Sequence, residues 1–298
     1  LQFQWYTDTE IDLSSIPIHE IMGGGIAVVD YDLDGWPDVY LGQGSGDPPT
    51  DQCTRSSEMF RNTEARFRAV TELTGTHDFN YSSGISAGDV NQDGFPDLYL
   101  GSLGRNRLLV NNGDGTFRDA TGSLGEIPQR FSSSLAIADL DGDSLPDLYE
   151  TIYLEMGGGF VLPEVGPGGY EKIPAPSDFY AQSDRWLKND GRGHFSSHEI
   201  SEETAEPGSG LGVLVADFDF DGQNEVFVAN DMRPNHFLDF DSHSGMQNRA
   251  HALGLANGFG GSPNAFMGIA AADFNRDQRI DLHVANFFKE SANHYLQR

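Results

Sequence analysis

One cysteine, Cys53, occurs in the 298 residues, so no internal disulfide can form. A lone thiol does not decide the compartment, because an oxidising space permits bridges without requiring them. Cations are also scarce: 18 Lys and Arg stand against 46 Asp and Glu, a formal charge of −28. That balance excludes nucleic acid as a partner, because phosphates need a basic face, and it excludes docking on anionic lipid. Apolar runs such as Leu211 to Ala216 are far too short to span a bilayer, so no direct membrane insertion is expected. The chain opens at Leu1 without the basic stretch and apolar core of a secretory leader, so a removed leader or a longer parent chain is expected. Long helices have little room among 36 Gly and 14 Pro, which mark frequent turns. Yet 20 Phe and 10 Tyr exclude disorder and supply a core.

What the sequence does contain is one unit, five times over. A short apolar run leads into an acidic loop and out into a second alternating run. The first copy reads Gly25-Ile-Ala-Val-Val-Asp30-Tyr-Asp32-Leu-Asp34-Gly35-Trp36-Pro37-Asp38-Val-Tyr-Leu. The loops begin at Asp30, Asp89, Asp139, Asp217 and Asp273, between 50 and 78 residues apart. A second signal follows three of them: Met59-Phe60-Arg61-Asn62, Leu108-Leu109-Val110-Asn111-Asn112-Gly113 and Trp186-Leu187-Lys188-Asn189-Asp190-Gly191. In the latter two, glycine turns between apolar positions are hairpin chemistry. Each unit thus reads strand, acidic loop, strand, connection, strand, turn, strand. The expectation is an all-β fold, a β-propeller of four-stranded blades, with five blade motifs present. Residues 1–298 are expected to form a single propeller domain, with an irregular Gly- and Pro-rich insertion at about 155–180.

Positions one, three, five and nine of each loop carry carboxylates or amides. They are Asp30, Asp32, Asp34 and Asp38; Asp89, Asn91, Asp93 and Asp97; Asp139, Asp141, Asp143 and Asp147; Asp217, Asp219, Asp221 and Glu225; Asp273, Asn275, Asp277 and Asp281. Three or four negative groups in a tight turn repel strongly unless a hard divalent cation settles among them. Calcium takes six to eight oxygens, and backbone carbonyls complete the shell, here assigned to position seven: Trp36, Phe95, Leu145, Gln223 and Arg279. Gly35, Gly94 and Gly222 permit the bend at position six, and Pro37, Pro96 and Pro146 stiffen the exit. Eighteen acidic residues occupy these positions, so much of the acidity is explained by ligation rather than by a partner-seeking surface. An EF-hand is excluded, because position twelve is Leu41, Leu100, Glu150, Val228 or Val284 instead of a consistent Glu and the flanks are strand-like. Up to five Ca2+ are expected. The fifth site should be weakest, with Arg276 and Arg279 inside it and Gln278 in place of glycine.

Loops of this form between strands resemble FG-GAP, or VCBS, repeats, the units of the seven-bladed integrin α-chain propeller. The resemblance to the ASPIC/UnbV group, which includes cartilage acidic protein, is closer. It is carried by Met22-Gly23-Gly24-Gly25-Ile26-Ala27, Asn106-Arg107-Leu108, Asn112-Gly113-Asp114-Gly115-Thr116-Phe117 and Phe266-Met267-Gly268-Ile269-Ala270. The resemblance covers nearly the whole chain. It implies structural calcium and an extracellular, cell-surface or periplasmic location, where millimolar calcium fills modest sites. Because the fifth unit stops at Asn293-His-Tyr-Leu-Gln-Arg298, it also implies an incomplete ring, part of seven blades; a closed five-bladed ring is the alternative.

No catalytic constellation stands out. Gly84-Ile85-Ser86-Ala87-Gly88 fits a nucleophile elbow, but Ser86 precedes a metal loop on a strand, where the other copies have Ala27, Ala136, Leu214 and Ala270. His194 and His198 are four apart on a strand and turn, which does not set them on one face. Cys53 has no identifiable activating base, and Asn80-Tyr81-Ser82 fits a glycosylation sequon. The function expected is a non-catalytic adhesion or ligand-binding module for an extracellular protein or surface glycan. The alternative is a polysaccharide-binding or polysaccharide-degrading, lectin- or lyase-like accessory propeller. Only Trp5, Trp36 and Trp186 are available as indole platforms for sugars, and two of these lie in the repeat.

Overall fold

The computed structural model describes residues 3–5, 18–44, 53–64, 66–155, 164–165, 171–172, 175–241 and 245–297. Alternating apolar residues either side of each acidic loop form antiparallel strands, and these assemble into blades. Blade one is β1 (Ile26–Val29), β2 (Asp38–Leu41), β3 (Glu58–Asn62) and β4 (Phe67–Ala69), paired in chain order. Blade two is β5 (Ser82–Gly88), β6 (Asp97–Gly104), β7 (Arg107–Asn111) and β8 (Phe117–Asp119). Blade three begins with β9 (Arg130–Ala138) and β10 (Asp147–Ile152); unlike the separate four-stranded units expected, β9 also pairs with the end of β6 (Leu103 with Phe131), so blades two and three form one eight-stranded sheet. A ribbon of β11 (Glu164–Val165) and β12 (Glu171–Lys172) intervenes before the blade ends with β13 (Arg185–Asn189) and β14 (Phe195–Glu199). Blade four is β15 (Gly210–Ala216), β16 (Glu225–Asn230), β17 (His236–Asp241) and β18 (Gly245–Asn248). Blade five shows three strands among the described residues: β19 (Phe266–Ala272), β20 (Asp281–Asn286) and β21 (Asn293–Tyr295).

The chain divides into two compact units, residues 1–132 with 154–180, and 133–153 with 181–298. In the first, blades one and two share a core of Ala27, Val29, Tyr40, Met59, Leu98, Leu100 and Leu109. The second has two cores, and β16 feeds both by its period of two. Val226 and Val228 pack with Leu140 and Tyr149, whereas Phe227 and Ala229 pack with Phe266, Leu282 and Val284. The second strands β6, β10 and β16 therefore bury both faces, and each large side chain so removed from water is worth about 1.5–3 kcal/mol.

Buried charge is paired. Arg185 Nε donates to Glu150 Oε2 at 2.9 Å with both side chains almost wholly enclosed. In blade two, the buried Asp78 accepts from Asn80 Nδ2 at 2.8 Å, from Arg107 Nη1 at 3.1 Å and from Ser82 Oγ. Asn80, the sequon asparagine, is only 5 % exposed.

The insertion expected at about 155–180 is partly regular. Glu164 pairs with Lys172 and Val165 with Glu171, and Pro176–Asp178 forms a 3-10 turn. The rest of it, residues 156–163, 166–170 and 173–174, lies outside the described residues.

Candidate metal centres in the acidic loops

Each loop joins the first strand of a blade to its second and is held by its own carboxylates. Position one caps the turn. In loop one the N–H groups of Asp34 and Gly35 donate to the two oxygens of Asp30 at 3.0 and 2.8 Å. Asp89 and Asp273 make the same pair of bonds in loops two and five. Asp139 accepts from Gly142 and Ser144 at 2.8 Å, and Asp217 accepts from Gly222 at 3.0 Å. Position five orients on the N–H of position seven, so Asp34, Asp93, Asp143, Asp221 and Asp277 accept from Trp36, Phe95, Leu145, Gln223 and Arg279 at 2.8–3.0 Å. These bonds impose a left-handed backbone at position six and also at position four. There Leu33, Gln92, Phe220 and Arg276 hold φ between 56° and 66° without being glycine.

Position nine is the clasp. Asp38 accepts from Tyr31 N–H at 3.3 Å and from Asn62 N–H on β3 at 2.6 Å. Asp97, Asp147 and Asp281 repeat this with Val90 and Asn111, Leu140 and Asn189, and Phe274 and Gln297. Glu225 accepts from Phe218 N–H at 2.8 Å, but its longer side chain takes no bond from the third strand. Burial raises the carboxyls of Asp38, Asp97 and Asp147 to about 6 and that of Glu225 to about 7, and the neighbouring loop carboxylates add to the effect.

Three loops bring carboxylates to a point. Asp30, Asp32 and Asp38 place ligand oxygens within 4.8 Å of one another, as do Asp139, Asp141 and Asp147, and Asp217, Asp219, Asp221 and Glu225. In each cluster one enclosed oxygen lacks a partner: Asp32 Oδ1, Asp141 Oδ1 and Asp217 Oδ1. A buried anionic acceptor left unpaired is costly, and a divalent cation with oxygen preference would satisfy it, so these residues fit calcium. In loops two and five the amides of Asn91 and Asn275 donate to Asp93 and Asp277 at 2.9 and 3.0 Å, and three carboxylates do not converge. Position five joins the cluster only in loop four. Asp34 and Asp143 turn instead to a side chain from the third strand.

That side chain was not singled out from the sequence. Carried one pair past the end of each ladder, the cross-strand register sets one residue opposite position nine of every loop: Arg61, Val110, Lys188 and Asp239 on the third strands, and Leu296 just after β21. Arg61 Nη2 lies 2.6 Å from Asp32 and 2.9 Å from Asp34. Lys188 Nζ bonds Asp141 and lies 3.0 Å from Asp143. Asp239 instead adds a fifth acid beside loop four and is paired to Arg249 at 2.7 Å. The signal available was the residue just before the repeated Asn62, Asn111 and Asn189. A cavity of about 390 Å³ opens beside loop four, lined by Phe218, Asp219, Glu225, Asp239, Arg249 and Tyr295.

Ser86 sits inside β5 opposite Tyr99, not at a strand-to-helix apex, and Cys53 is buried.

The FG-GAP-like repeat family matches residues 30–100 and 89–150, spanning loops one to three. Residues 30–150 carry FG-GAP-like repeats. Human integrin alpha-6 is 31 % identical over 83 residues, 27 % of this chain, which spans 7 % of that integrin's length. Among solved structures, the V. cholerae biofilm matrix protein Bap1 matches at 13 % identity with a TM-score of 0.40, over 94 % of this chain and 37 % of its own. YCF48 bound to D1 peptide matches at 11 % with a TM-score of 0.42, over 89 % and 73 %. Loops four and five lie beyond the matched residues; loop five repeats the hydrogen-bond scheme of loop two, and loop four keeps the bonds from Gly222 to Asp217 and from Gln223 to Asp221.

Proposed function

We propose that this chain is a calcium-stabilised, non-catalytic binding module that works outside the cytoplasm on an extracellular protein or surface glycan. The observation that carries the reading is the recurrence of one unpartnered, enclosed carboxylate oxygen in each of three convergent clusters. Asp30, Asp32 and Asp38, Asp139, Asp141 and Asp147, and Asp217, Asp219, Asp221 and Glu225 would hold the ions. Asp89, Asp93 and Asp97, with Asn91, and Asp273, Asp277 and Asp281, with Asn275, would form weaker sites. Bound calcium supplies charge neutralisation, and the chain's own residues do the rest: position one closes the turn and position nine ties it to the third strand. FG-GAP-like repeats and the local likeness to integrin alpha-6 support adhesion or ligand binding over chemistry, and Met22-Gly23-Gly24-Gly25 and Phe266-Met267-Gly268 support an ASPIC/UnbV-type chain. No helix among the described residues is long and apolar enough to cross a membrane. A recess of about 920 Å³ in the first unit, lined by Phe3, Gln43, Arg55, Glu58, Glu72 and His77, offers the mixed polar surface that a hydrated ligand needs.

Calorimetric titration of the chelator-treated chain with calcium tests the reading. We expect saturable binding at more than one site, and loss of a site in Asp217→Asn. No binding at millimolar calcium would overturn it, and a glycan array then separates sugar from protein partners.

A further inference from the structure

We propose that His283 and His294 form a surface site for a divalent transition metal of the copper, nickel and zinc class, separate from the acidic loops. The two residues face each other across β20 and β21 in direct register. His283 Nδ1 and His294 Nε2 lie 3.0 Å apart, with ring centroids separated by 4.3 Å. Imidazole nitrogens bind such ions at about 2.0–2.1 Å, so two of them at right angles around one ion lie about 2.9 Å apart, and tetrahedrally about 3.3 Å. The observed separation falls between these two, and the side chains need little movement to chelate.

The surroundings favour an ion. On the other side of His283 the strand partner is the exposed Ala270, whose methyl leaves space for the metal and its waters. The Phe274 ring meets both imidazoles edge-on, at 6.5 and 6.0 Å between centroids, and restricts their rotation. Leu282 and Val284, the neighbours of His283 along β20, point into the core and anchor the strand. Nitrogen ligands select borderline metals over calcium, which prefers oxygen, so the pair and the carboxylate loops divide the ions between them. A hydrogen bond between the two facing nitrogens needs a proton on one of them, and a metal needs a lone pair on both. On binding, that proton passes through solvent to the second nitrogen of its own ring, so both facing nitrogens offer lone pairs and the imidazoles stay neutral. Water completes the coordination.

The test uses the 298-residue chain with Cu2+ as the probe, in millimolar calcium to fill the oxygen sites. Electron paramagnetic resonance should show one copper per chain coupled to two nitrogens. His283→Ala and His294→Ala should each abolish the two-nitrogen pattern and weaken binding about tenfold or more, because the second ligand then no longer adds at high effective concentration. His198→Ala, on β14, should change nothing, and His294→Gln with unaltered melting guards against misfolding. A two-nitrogen signal that survives in the double alanine variant, or no copper binding in the parent chain, would overturn the assignment.

Discussion

Loops three and four share a backbone turn and differ in the side chain set opposite position nine. In loop three that residue is Lys188, whose ammonium reaches Asp141 and Asp143. In loop four it is Asp239, whose counter-charge Arg249, just past β18, lies at 2.7 Å and also acts on Asp219 and Glu225. Loop three therefore carries a tethered cation that neutralises part of its cluster at all times. Loop four gathers four converging carboxylates and a fifth acid nearby, with no ammonium among them. The same turn thus holds a cation directly on its cluster in one blade, whereas in the other the cation is bound to the fifth acid and more of the neutralisation is left to a free ion. Loop one, with Arg61, belongs with loop three.

The largest expected effect follows directly. Calcium at one hundred times its dissociation constant stabilises a folded site by about 2.7 kcal/mol, so chelation should lower the melting temperature of the parent chain by several degrees. Asp217→Ala should erase more of that calcium-dependent gain than Asp139→Ala; equal losses in differential scanning calorimetry would break the distinction between the loops. Next, Lys188→Met should raise the calcium affinity of loop three about tenfold while lowering metal-free stability by about 1 kcal/mol, since the competing charge and its ion pair both go. Asp239→Lys should move loop four in the opposite direction, towards chelator resistance.

A pH dependence sharpens the same contrast. The raised carboxyls of Asp38, Asp97, Asp147 and Glu225 bind protons in the folded state that the unfolded chain has already lost. Their contribution is complete below about pH 4 and disappears as pH rises through about 6 for the aspartates and about 7 for Glu225. Buried His236, lowered to about 4, works the other way between there and its ordinary value, but it is one group against four. In chelator the chain should therefore melt higher at pH 5.5 than at pH 7.5. In calcium the order should reverse, because protons then displace the ion. Melting curves at the two pH values, with and without calcium, check the crossover. The smallest effect is local: Gln278→Gly in loop five should gain about 1 kcal/mol by relieving a left-handed backbone with φ of 70°.

The all-β fold and the five acidic turns were readable from the repeat because spacing along the chain is what makes a strand-loop-strand unit, whereas the pairing of β6 with β9 across two such units was not. Asp30, Asp139 and Asp217 stand at the head of their turns and accept backbone N–H groups from within them. What spacing could not reveal is adjacency across strands. Arg61 is 23 residues from Asp38, and Lys188 is 41 from Asp147, a connection that contains the insertion. Only register sets those cations over the carboxylates. The role of position nine was half visible: its acid was evident, but not that both oxygens bind backbone N–H groups, nor that Glu225 is released from the third strand by one extra methylene. Position four gave no warning either, since Leu33 and Phe220 are not residues that favour a left-handed backbone.

The Asp78 network carries a practical consequence for producing the protein. Asn80 spends its amide nitrogen on a carboxylate that also holds Ser82 and Arg107, inside a nearly closed site. A eukaryotic secretory host reads Asn80-Tyr81-Ser82 while the chain is still emerging, before that site has closed. A sugar attached then would occupy the nitrogen that Asp78 requires, and blade two would be left unable to shut. Yeast or mammalian secretion should yield heterogeneous, poorly folded material that an Asn80→Asp or Ser82→Ala change does not simply repair, whereas a bacterial host avoids the conflict.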